Sequence, residues 1–266
     1  MQDTLEPLID KALRGRPRLL EFYLREQSHL PGPRANLALA YDLAHLLALH
    51  LSNDQPAVET LLTYLLSTER EDVQSNTPAE FTVLCGLIAL GACAAVRPDW
   101  RAWALALLEE RALSPCWRIR EGVVMAYQQL LPAASAETLA QLSRLAAEGL
   151  LLHQRAAVAA LAEPSLLLEH RFVTAALSIH RQVLERLHQL TPADRHQAAF
   201  RSLRQTLGYS LSVVTAAAPE DGFALMQICA SWNDKDIAWI LRENLKKKRL
   251  ARFSEQAEAL ARLLQS

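Results

Sequence analysis

From Pro98 to Leu264 the chain divides into segments whose apolar residues recur at helical spacing, each stopped by a proline or a short polar turn. This rhythm leaves room for little except a succession of α-helices. Helices are predicted at about Asp99–Ala112, Trp117–Leu131, Ala136–Glu148 and Leu151–Ala162. A longer pair follows at Leu166–Leu190 and Pro192–Ala217, then Pro219–Ser231, the stretch from Trp232 to Leu250, and Ser254–Leu264. Leu, Ala, Glu, Gln and Arg dominate over β-branched runs, and glycine occurs only eight times in 266 residues. The fold class this implies is all-α, with about 13–14 helices.

The N-terminal part follows the same chemistry with less regularity. Short helices are expected at Thr4–Leu13 and Arg18–Gln27, split by Gly15 and Pro17, followed by the loop His29-Leu-Pro-Gly-Pro33. A long helix is expected from Ala35 to Leu51, and another runs from a cap at Asn53 or Asp54 to Thr68. Glu69 to Pro78 reads as a linker. The uncharged run Phe81–Val96 reads as a buried helix, short of the ~20 residues that a membrane span requires. No membrane partner is therefore expected. The acidic N-terminus lacks a basic signal region, and Cys85, Cys93, Cys116 and Cys229 show no C-x-x-C spacing, so buried free thiols and a cytoplasmic location are expected.

The most informative single stretch is Trp232 to Leu250. Asn233 or Asp234 is placed to cap a helix, and Ile237, Ile240, Leu241 and Leu245 form one apolar stripe. Trp239 and Arg242 share a side, and Lys246, Lys247, Lys248 and Arg249 close the helix where cations complement its dipole. Residues 232–266 carry eight Lys/Arg against five Asp/Glu, a local basic excess in a chain of net charge −1.

Three helix starts look alike: Arg118-Ile-Arg-Glu-Gly-Val-Val-Met-Ala, His153-Gln-Arg-Ala-Ala-Val-Ala-Ala-Leu and Asp236-Ile-Ala-Trp-Ile-Leu-Arg-Glu. Arg120 and Arg155 are 35 positions apart, one helix–turn–helix unit, and Ala156 and Trp239 are 83 apart, about two units. In this the chain resembles HEAT-like repeat proteins. The resemblance implies a right-handed α-solenoid of stacked antiparallel helix pairs as a single domain over 1–266, with divergent helices over 1–97 and recognisable repeats over 98–266. Its second helices would line a concave binding groove.

No phosphate-cradling glycine loop, zinc spacing or nucleophile motif occurs, so no metal and no cofactor are implied. The eight histidines are scattered and read as structural or surface residues. What remains on the expected inner helices is Trp117, Arg120, Glu121, Arg155, Trp239 and Arg242, together with the basic run that includes Lys246, Lys247 and Arg249. Trp117-x-x-x-Glu121, Gln154-Arg155-Ala-Ala-Val and Ile237-Ala-Trp-Ile-Leu-Arg242-Glu also resemble motifs of the HEAT-like-repeat alkylpurine DNA glycosylases, over roughly Asp99–Leu264. That resemblance implies Trp117 and Trp239 as aromatic walls against a cationic nucleotide. It implies Glu121 as the catalytic acidic residue, where the family has Asp, and Arg155 and Arg242 as phosphate-holding groups.

Two functions follow from these readings. One is a non-catalytic scaffold whose groove binds a protein partner or, through its basic and aromatic groups, DNA. The other is a relative of the DNA-repair glycosylases, active or degenerate. Arginines of such repeats also tie neighbouring helices together, and the indoles fit equally well as packing between repeats. Sequence alone leaves the oligomeric state open.

Overall fold

A computed structural model describes residues 2–67 and 73–265. Among these residues there are fourteen α-helices and no strand, so the all-α expectation holds. The chain forms two compact units, residues 1–138 and 139–266. The division falls inside α8 (Ser135–Glu148), a helix with no glycine or proline to mark it in sequence.

The first unit contains α1 (Gln2–Leu13), α2 (Pro17–Glu26), α3 (Leu37–His50), α4 (Gln55–Leu66), α5 (Pro78–Val96), α6 (Arg101–Arg111) and α7 (Trp117–Ala133). Its centre is α5, flanked by α3 and most extensively by α7, with α2, α4 and α6 also against it. Gly91 permits this approach. A Cβ there would lie 2.6 Å from the Ala126 carbonyl oxygen and 2.7 Å from its Cα. Fifteen of the nineteen residues of α5 are buried. The helix begins three residues before Phe81 and is long and apolar enough to cross a membrane, so the shorter span read from sequence is corrected. Within the protein, 83% of its most apolar window is buried, and α5 serves as the core of this unit. The expected linker 69–78 lies partly outside the described residues. Its described part leads into the cap of α5, where Thr77 accepts from the Glu80 amide at 3.3 Å.

The second unit contains α9 (Leu151–Leu161), α10 (His170–His188), α11 (Ala198–Ala217), α12 (Pro219–Ala230), α13 (Lys235–Leu245) and α14 (Ser254–Leu263). Here α11 is central, packed by α9, α10, α12 and α13, while α12 also meets α10 and α14. In both units alternate helices lie side by side: α3, α5 and α7 in the first, and α9, α11 and α13 in the second. This pattern is consistent with a helical repeat fold. The three similar sequence segments fall at or near the starts of α7, α9 and α13.

Several local expectations need correction. Asp234, not Asn233, caps α13, accepting from the Asp236 and Ile237 amides at 2.8 and 3.2 Å. Asn233 instead takes a positive φ of 53°. The helix ends at Leu245, so Lys246–Arg249 follow it rather than forming its last turn, because a short 3-10 turn at Lys248–Leu250 redirects the chain. Ser254 is the first residue of α14, and the cap position belongs to Phe253, which has no side chain to bond an amide. The long helices expected from Leu166 and Pro192 begin later, at His170 and Ala198, each preceded by a 3-10 turn.

All four cysteines are free and buried. Burial pushes the thiols of Cys93 and Cys229 up to about 12 and that of Cys85 well above its ordinary value. None of these three presents a thiolate at neutral pH. His180, inside α10, is a structural histidine. Its Nδ1 lies 2.7 Å from the Ala176 carbonyl oxygen and its Nε2 2.9 Å from Ser210 Oγ. A carbonyl can only accept, so Nδ1 carries the proton and Nε2 accepts from the serine hydroxyl. Burial lowers the pKa of this ring to about 4.

Candidate binding cleft

The start of α7 is assembled from three segments. Cys116, its cap residue, offers no capping bond. The missing acceptor comes from Glu80 of α5, whose Oε1 accepts from the Arg118 amide at 3.0 Å. The same carboxylate accepts from the Asn76 amide at 2.7 Å and lies 3.5 Å from the Arg118 guanidinium. Arg118 then donates to Asn76 Oδ1 at 3.2 Å and to the Gly32 carbonyl at 2.6 Å. Gly32 N–H donates to the same Asn76 oxygen at 3.1 Å. A buried charge pair and its hydrogen bonds thus fasten the loop at Gly32, the turn at Asn76 and the first turn of α7 to one another.

Trp117 projects from this fixed point with 44% of its surface exposed. The Arg118 guanidinium lies over its ring, 4.7 Å from the centroid. Beside the indole is a hollow of about 290 Å³ with an apolar lining from Leu37, Leu84 and Met125. Arg34 and the half-buried Glu121 also line it, and Glu121 interacts within the protein. A second hollow, of about 580 Å³ and more open, is lined by Pro31, Gly32 and Asn76. Trp117, Arg118 and Pro33 line both, so the two hollows adjoin as one cleft. Trp117 and Glu121, one helical turn apart, share the first hollow as their spacing suggested. Arg120 is directed elsewhere, donating to the Ser114 and Pro115 carbonyls at 2.6 and 3.0 Å and closing the loop before α7.

The remaining sequence-derived candidates belong to the second unit. Arg155 is buried, 6% exposed, beside the buried His153 and Gln154 of α9. Trp239 is half-buried, with the Arg204 guanidinium 4.1 Å from its ring centroid. It packs over Gly208, where an added Cβ would come within 3.2 Å of the indole. Arg242 is exposed and donates to the Leu264 carbonyl at 2.7 Å. Lys246 pairs with Glu243 at 2.5 Å, Lys247 is half-buried, and Arg249 is exposed.

A charged network connects Trp239 to the preceding helices. Arg204 lies 3.2 Å from Asp236, and Arg195 reaches both Asp236, at 2.9 Å, and Asp234, at 2.7 Å. Arg195 also donates to the Leu187 and His188 carbonyls at 3.2 and 3.1 Å, so the end of α10 is fastened to the start of α13. His188 approaches Asp234 at 3.2 Å and stacks on Trp232. Burial alone would raise the Asp234 carboxyl. Hydrogen bonds from Arg195, His188 and the two amides that it caps outweigh this and hold it well below the usual carboxylate range.

Glu80, Arg118, Arg34 and Arg195 were not among the sequence-derived candidates. A signal existed for Glu80, since Thr77-Pro-Ala-Glu80 has capping-box spacing before an apolar run. Nothing local identified Arg118 as its partner, 38 residues away. Among the described residues no group of three or more His, Cys, Asp or Glu side chains is placed to hold a metal ion. Compared with protein-family models and with curated proteins, the chain matches none of them.

Proposed function

We propose that this protein is a non-catalytic binding module of HEAT-like helical repeats, and that the cleft around Trp117 seats an extended segment of a protein partner. The observation that carries the reading is a solvent-facing indole on a rigid support, beside an apolar hollow. Protein hot spots combine these features: a large aromatic anchor, an adjoining pocket, and a frame that needs little ordering on binding. The two adjoining hollows favour an elongated occupant. The apolar one, near the ~300 Å³ lower end of small-ligand sites, suits a single side chain better than a large cofactor. Side-by-side α3, α5 and α7, with the similar starts of α7, α9 and α13, support the HEAT-like assignment.

A second reading, a DNA glycosylase relative, draws on Trp117 and Glu121 sharing one hollow. The peptide-binding reading is preferred because both indoles assigned as walls for a cationic nucleotide already carry a guanidinium from this chain, Arg118 on Trp117 and Arg204 on Trp239. A second cation would meet like charge there.

Selection of a random peptide display library on the wild-type protein, with Trp117→Ala as counter-target, tests the proposal. A consensus enriched by the wild type alone is the expected result. Enrichment indifferent to Trp117, or release of an alkylated base from duplex DNA that Glu121→Gln abolishes, would overturn it.

A further inference from the structure

The charges around the cleft specify more than shape. Three charged residues line the apolar hollow. Arg118 is buried, neutralised by Glu80 and bonded to Asn76 and Gly32. Glu121 interacts within the protein. Arg34 is exposed at the rim and forms no ion pair with any described residue. The field offered to an occupant therefore has an available positive group at one edge, and the indole face is shared with a second guanidinium. Leu37, Leu84 and Met125 supply the apolar contact, with methionine able to adjust to differently shaped side chains.

Resting on the peptide-binding reading above, we infer that the cleft selects an acidic partner: an extended segment with an apolar side chain in the hollow lined by Leu37, Leu84 and Met125, and a flanking Asp or Glu at Arg34. A carboxylate there gains a partially screened ion pair and can accept two hydrogen bonds from the guanidinium. A lysine at the same place meets Arg34 as a like charge. The preference is electrostatic and weakens with salt, because Arg34 lies in solvent.

The test uses two fluorescein-labelled hexapeptide pools with Leu or Phe at a central position, flanked by Glu in one pool and by Lys in the other. Fluorescence anisotropy is measured for the wild type, Arg34→Glu and Trp117→Ala. The glutamate pool is expected to bind the wild type roughly fivefold more tightly than the lysine pool. Arg34→Glu should reverse the order, and Trp117→Ala should abolish binding of both. Equal or tighter binding of the lysine pool, still dependent on Trp117, would overturn the acidic specificity and leave the cleft standing. Binding of neither pool, or binding unaffected by Trp117→Ala, would overturn both.

Discussion

Glu80 shows how one side chain can serve several helices. Its two oxygens satisfy amides at Asn76 and Arg118, and its charge balances a guanidinium that is itself buried. Glu80→Gln replaces one acceptor with a donor and leaves Arg118 uncompensated, which should cost about 3 kcal/mol of unfolding free energy in urea denaturation. Trp117→Ala, by contrast, removes a side chain that is 44% exposed and should change stability by less than ~1.5 kcal/mol while abolishing partner binding. His180 yields a pH prediction. Its folded pKa, about 4, lies below the ordinary 6.5, so the unfolded chain binds the proton first. Its stabilising effect is complete above about pH 6.5 and is lost as pH falls toward 4, at most about 3 kcal/mol in all. The urea midpoint should fall over this window in the wild type, and His180→Gln should flatten that part of the profile.

At the scale of helices, the close approach of α5 and α7 and the fastening of α10 to α13 are two connections that single changes should disturb. Gly91→Ala would drive a methyl group into the Ala126 backbone, and a loss of about 1–3 kcal/mol in thermal or chemical denaturation is expected. Arg195→Met would remove the guanidinium that bonds Asp234 and leave Asp236 with Arg204 alone, with an expected loss of about 3 kcal/mol. The depressed Asp234 carboxyl contributes stability above its unfolded value of 3.8 and loses it as pH falls further. The wild type should therefore show an acid transition below about pH 4 that is weaker in Arg195→Met. Helix positions were legible in the sequence because apolar spacing and proline stops are local signals. The tertiary connections were not. Arg118 and Arg120 have similar sequence surroundings, yet one is buried against Glu80 and the other closes its own loop. Likewise, nothing within α13 shows that Arg204 from α11 will cover Trp239.

For the whole molecule, the sequence rhythm implies a nearly neutral chain of about 13–14 helices, fourteen are found among the described residues, and alternate helices lie side by side within each unit. The division at residue 138 had no sequence marker because it falls within the regular helix α8. The candidate cleft was half legible. Trp117 and Glu121 announced themselves by spacing, whereas Arg34, Leu37 and Leu84 join them only through packing. The proposed function requires that Trp117 contact the partner. It is tested most directly by ¹⁹F NMR of protein carrying 5-fluorotryptophan at its five tryptophans, with Trp117 assigned through Trp117→Phe. On addition of the display-selected peptide, the Trp117 resonance should show the largest shift, with Trp232 and Trp239 little changed. A bound peptide that moves Trp232 or Trp239 and leaves Trp117 in place would contradict the account.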